Sequence, residues 1–108
     1  MDTLYAHKPD AAVRYGIYVE LHAKPGREAE VIEFLTSAVP LVDAEERTID
    51  WFALRLSDQR FAIFDTFVDE NGREAHLNGQ VARALMERAP DLFEGTPMIH
   101  KTEVLARK

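Results

Sequence analysis

The chain contains no cysteine, which excludes disulfides, thiolate nucleophiles and thiolate-bound metals. Bases are also scarce: 13 lysines and arginines stand against 19 aspartates and glutamates, for a net charge of −6. The basic footprint of a nucleic-acid binder is therefore missing, and an anionic membrane surface would repel the protein. No apolar run approaches the roughly 20 residues that span a bilayer. The stretch from Met1 to Tyr15 has no basic start followed by an apolar segment. It does not read as a secretion signal, and a cytoplasmic location is expected. Glycine-rich phosphate loops, nucleophile elbows and Walker sequences are absent too.

What is present is 108 residues, 46% of them hydrophobic, enough for one domain with its own core. Residues 1–14 show no sustained period and include Pro9, so they read as an N-terminal arm ahead of a folded domain over 15–108. Tyr15, Ile17, Val19 and Leu21 alternate with Gly16, Tyr18, Glu20 and His22, the period of a first strand. Lys24-Pro25-Gly26 ends it. Val31, Ile32, Phe34, Leu35, Ala38 and Val39 then form a helical stripe from about Arg27 to Val39. Pro40 limits that helix, and 43–47 is a polar connection. Ile49 to Leu56 and Arg60 to Phe67 read as a hairpin of strands two and three. Asp69 or Asn71 can cap a second helical region that runs to about Arg88, is loosened or broken at Gly79 and is stopped by Pro90. Residues 91–93 can form a short turn. Pro97 to Ala106 is strand four.

The order β-α-β-β-α-β is the ferredoxin-like α+β arrangement, with an antiparallel sheet. Within it, strands one and three are expected side by side and parallel, with strand four antiparallel to strand one. Two helices cover one sheet face, yet strands two and three are apolar on much of both faces. An apolar face of that size is unfavourable in water. A homodimer with sheets packed face to face is therefore expected.

His76 is the sharpest candidate for chemistry, because an imidazole titrates near neutral pH. In one continuous helix it would fall nearly opposite the face of Leu77, Val81 and Leu85 and would be solvated. A break at Gly79 would let the first segment turn it toward the sheet. Asp65 sits among apolar neighbours on the side of Ile63 and Phe67, where a carboxylate needs a partner. Arg55 on the neighbouring strand is an evident one. Trp51, Phe52, Phe64, Phe67 and Tyr18 are core or interface residues, or the walls of a cavity for a flat aromatic ligand. His22 and His100, with Glu20, can be set together as metal ligands, but no local His-x-His or His-Glu-x-x-His pair supports a metal site.

VELHAKPG (19–26), FAIFDTF (61–67) and Ala75-His76 together resemble the antibiotic biosynthesis monooxygenase-like family of small dimeric α+β-barrel proteins. The likeness extends over 15–106. It implies a cofactor-independent monooxygenase that oxidises a quinol or phenolic compound with dioxygen. In that reading His76 is the base, Asp65 orients it, and Phe67, Trp51, Phe64 and Tyr18 bind the substrate. Neither metal nor cofactor is implied. Relatives that degrade haem use a tryptophan at the end of strand three and an asparagine on strand one. Here Phe67 ends strand three and strand one has no asparagine, which speaks against haem. Asp65-Thr66-Phe67 also replaces the commoner Glu-x-Trp ending, and Gly72 stands in the start of the helix. The alternative of another class is a non-catalytic dimeric module of the same fold, binding a small apolar ligand or serving in assembly.

Overall fold

The structure, a computed structural model, describes residues 13–108; residues 1–12 of the arm lie outside the described residues. Strands β1 (Tyr15–His22), β2 (Thr48–Arg55), β3 (Arg60–Phe67) and β4 (Met98–Glu103) form one sheet in the order β2-β3-β1-β4. Between them run helices α1 (Glu28–Ser37), α2 (Val39–Asp43), α3 (Glu70–Leu77) and α4 (Gln80–Leu92). Among the described residues, no helix is long and apolar enough to cross a membrane.

Every strand pair is antiparallel, so the expected parallel pairing of β1 and β3 is corrected. The reason is topological. The helical crossover returns the chain so that β2 runs with β1, and the hairpin then reverses it into β3. β3 must therefore oppose β1. Each helical region is also split in two. Ala38, followed by Pro40 in the first turn of α2, separates α1 from α2. Gly79, in an extended conformation, separates α3 from α4. Pro90 does not stop α4, which continues to Leu92. Pro90 has no N–H to give the carbonyl four residues earlier, so the last turn forgoes one helical hydrogen bond, while Lys24 Nζ donates to the Pro90 carbonyl at 2.6 Å.

Pleat alternation sends Ile17, Val19, Leu21, Phe61, Ile63 and Phe67 under the helices. There they pack with Val31, Leu35, Leu85 and Leu92 as the core. The opposite face carries no helix. Register places Phe52, Phe64, Tyr18 and His100 in one row across it, and Leu54, Ala62, Glu20 and Met98 in the next. Phe52 and Met98 are 53% and 56% exposed. A third row, Asp50, Thr66, Gly16 and Thr102, is handled differently. The chain beyond β4 returns across it: Val104 N donates to the Arg14 carbonyl, and Arg107 forks onto the two Asp50 oxygens at 2.7 and 3.0 Å. Thr66 beneath is 2% exposed and donates to Asp50 at 2.6 Å. Gly16 is needed here, because a Cβ would stand 2.5 Å from Thr102 Oγ1.

Candidate functional site

The break at Gly79 decides where His76 points. Asp69 caps α3, its Oδ1 accepting from Gly72 N at 2.7 Å. The helix then ends after two turns, at Leu77. Ending there frees α3 to rotate about its own axis relative to α4, so that His76 and Val81 both face inward. His76 is 8% exposed. Its ring rests on Phe67, with centroids 5.2 Å apart.

Each imidazole nitrogen meets a carboxylate. Nδ1 lies 2.7 Å from Glu45 Oε1. Nε2 lies 3.0 Å from Asp65 Oδ2, an ion-pair contact whose oxygen is off the N–H direction. Asp65 is 1% exposed, and its Oδ1 has no hydrogen-bond partner among the described residues. Trp51, its register partner on β2, likewise leaves Nε1 buried and without a hydrogen-bond partner among the described residues. Burial pulls the His76 pKa down, but the Asp65 and Glu45 carboxylates outweigh it and hold it above the usual histidine range. Burial pushes the Asp65 carboxyl up; His76 draws it back only in part, and the nearby Glu45 adds to the rise. The two carboxylates therefore favour the protonated imidazole. Losing the proton would leave a lone pair facing a carboxylate oxygen.

Glu45 was read from the sequence only as part of a polar connection. It stands just beyond α2, where its N–H donates to the Val42 carbonyl and its own carbonyl accepts from Thr48 N. Thr48 Oγ1 donates to the same Oε1 that meets His76, at 2.7 Å. Oε2 has no protein partner among the described residues. This loop comes close to α3 because residue 72 is glycine: a Cβ there would be 2.8 Å from Arg47 Cβ. Arg47 is held in turn by Asp69, at 2.7 Å. A cavity of about 480 Å³ opens between loop and helix, with Glu45 and His76 in its wall beside Ala44, Ala75 and Gly79.

The structure thus brings His76, Asp65 and Phe67 together. Phe67 is fully buried and supports the imidazole without lining the cavity. Trp51 lies beside Asp65 on the helix-covered side. Tyr18 and Phe64 do not join them, since they occupy the uncovered face; one residue's offset along a strand reverses the side chain. Arg55 is not the partner of Asp65. Trp51 is the residue opposite Asp65, and Arg55, four positions on, donates to the Ser57 and Asp58 carbonyls. His22 and His100 are apart as well: His100 pairs with Tyr18, four residues from His22. Among the described residues no three histidines, aspartates or glutamates are placed to hold a metal ion.

The fold is that of the antibiotic biosynthesis monooxygenase-like proteins. A candidate antibiotic biosynthesis monooxygenase from Caulobacter crescentus superposes with a TM-score of 0.75 over 87% of this chain and 92% of its own, at 13% identity. One from Bordetella bronchiseptica gives 0.72 over 87% and 99%, at 14% identity. Likeness at such identity shows the fold alone. The chain belongs to the family of a Nitrosomonas europaea protein of unknown function, to which it is 50% identical, with a TM-score of 0.86 over 89% of this chain and 93% of that one. No protein-family model and no curated protein matches the chain.

Proposed function

We propose that the protein is a cytoplasmic, homodimeric monooxygenase that oxidises a quinol or phenolic compound with dioxygen and uses no cofactor. The observation that carries this reading is the Glu45–His76–Asp65 cluster, of which Glu45 and His76 stand in the wall of a cavity of about 480 Å³, a size typical of small-molecule sites. The chemical demand is simple. A phenol, with a pKa of about 10, must lose its proton at neutral pH before its ring is electron-rich enough to reduce dioxygen. Both imidazole nitrogens are already engaged, so the accepting atom is Glu45 Oε2. The site's net charge is unchanged by the transfer, and the His76 imidazolium remains beside the new anion and stabilises it. Asp65 and Phe67 hold the ring in place. For a phenol the balance is one substrate and one dioxygen giving one quinone and one water; one oxygen atom becomes the new carbonyl and the other leaves as water.

The test is oxygen uptake by the native protein with a panel of naphthols and reduced naphthoquinones. Uptake well above each compound's own autoxidation is expected; rates equal to autoxidation across the panel would sink the reading. One observation favours the non-catalytic alternative: both imidazole nitrogens face carboxylates of the same chain, as in a purely structural histidine.

The dimer is proposed from the uncovered face, where Phe52, Leu54 and Met98 would otherwise remain in water. Light scattering at micromolar concentration should give twice the chain mass. Tyr18→Asp, placed at the centre of that face, should give the monomer. A native protein with the mass of one chain would count against the dimer.

A further inference from the structure

Gly79 is the N-cap of α4. Serine, threonine, aspartate and asparagine are favoured at such a position, because their side chains accept from the first free N–H groups of the helix. Here no side chain caps the helix. The backbone does not ask for glycine either, since φ −94° and ψ −172° are extended values open to any residue. The reason for glycine lies in what surrounds the missing side chain. A Cβ at 79 would stand 3.2 Å from the Ala75 carbonyl oxygen, 3.3 Å from that of His76 and 3.5 Å from Glu45 Oε2. The two carbonyls end α3 and make the position tight without closing it. The third neighbour is the Glu45 oxygen left open when Thr48 and His76 take Oε1. Gly79 and Glu45 both line the cavity of about 480 Å³.

The geometry points to Gly79 as the residue that decides which hydroxyls reach Glu45. Its missing side chain keeps the approach to Oε2 open, and the ring that carries the hydroxyl lies against the bare Cα. The ligand class is then a hydroxyarene whose two positions beside the hydroxyl carry only hydrogen. This rests on the reading of Glu45 Oε2 as the accepting atom and adds a requirement of shape. An O–H···O contact brings the donor oxygen to about 2.7 Å from the acceptor. The ring carbon behind that oxygen then lies at much the same range from Oε2 as the missing Cβ. Groups flanking the hydroxyl therefore contend for space with whatever stands at 79. Away from Glu45 the wall includes Ala44 and Ala75, whose single methyl groups leave room for substituents on the far side of the ring.

Two isomers isolate the requirement. In 3,5-dimethylphenol the positions beside the hydroxyl are free; in 2,6-dimethylphenol both are filled. The pair match in mass, and oxidation para to the hydroxyl gives the same quinone from each. Amide shifts in an NMR titration at neutral pH, followed at Glu45, His76 and Gly79, give both affinities. The native protein should bind 3,5-dimethylphenol about tenfold more tightly than its isomer, or better. Gly79→Ser puts a hydroxyl of the protein's own within reach of Oε2, and serine is a favoured N-cap, so the fold should be kept. On its folded fraction this variant should bind 3,5-dimethylphenol about tenfold more weakly than native and lose the preference between isomers. A glycine present only to relieve the two carbonyls would leave that preference intact. Equal affinity of the native protein for the isomers, or a variant that keeps the native preference, would overturn the role of Gly79. The test is separable from that of the reaction. Selective binding with oxygen uptake no faster than autoxidation supports this role and counts against oxidation. Oxygen uptake with equal kcat/KM for the two isomers overturns the role and leaves the reaction standing.

Discussion

Replacing His76 with alanine is expected to lower the unfolding free energy by about 3–5 kcal/mol at neutral pH, because it strands a charge in the core. Asp65 is 1% exposed, and among the described residues the imidazole is the one side chain paired with it. Removing the ring leaves a buried carboxylate that must stay charged at high cost or take up a proton. Asp65→Asn in the same background should recover a good part of the loss, since it removes the charge rather than its neighbour. The pH dependence has the same origin. His76 has a raised pKa when folded, so its contribution is full below the unfolded value of about 6.5 and is lost as pH rises through the folded value. Asp65 is also raised when folded, so its burial is free of charge penalty in acid and becomes costly as pH rises above the ordinary carboxylate value of about 4. Both shifts mean that the native state binds more protons than the unfolded chain. Stability should therefore fall from mildly acidic to alkaline pH, by at most about 1.4 kcal/mol per pH unit for each proton released. Urea midpoints for the native protein and His76→Ala across that range check both statements. A native protein with flat stability, or a variant that loses less than about 1 kcal/mol, would mean that the ring is not charged between two carboxylates.

Glu45→Gln is expected to lower turnover by about 10²–10⁴-fold with little change in KM, the usual range for removing a general base. The change keeps the side chain's shape and an oxygen for Thr48 and His76, and the position is partly open to solvent, so the fold should survive. What disappears is the capacity to take a proton. His76→Ala cannot make this point, because lost stability would confound lost chemistry. Steady-state oxygen uptake for native and Glu45→Gln proteins, each with its folded fraction measured, separates the two. Unchanged kcat would place the accepting atom elsewhere.

The regular elements were open to reading from pattern. The limits Arg60 and Phe67 of β3 follow from alternation and flanking turns, and Asp65 stood out because a carboxylate among core residues demands a partner. The partner itself was not visible. His76 is 11 residues from Asp65 and reaches it only because Gly79 interrupts the helix. That break was legible, but the angle it sets was not. Glu45 left no trace at all: it is one acid in a polar connection, 31 residues from His76, and only the glycine at 72 lets its loop approach. Tyr18 and Phe64 mark the opposite failure. Aromatic character shows in a sequence, but which sheet face belongs to the site depends on where the helices land. The parallel pairing of β1 and β3 was an error of topology that following the chain direction through the hairpin corrects.

The returning C-terminal segment has a geometric consequence for assembly. By fastening Arg107 to Asp50, it roofs one end of an otherwise open sheet and withdraws that row from contact. A second sheet laid on this face could then overlap only the rows of Phe52 and Leu54. Its two-fold axis would be displaced toward the Met98 end, and the pair would be staggered rather than stacked edge to edge.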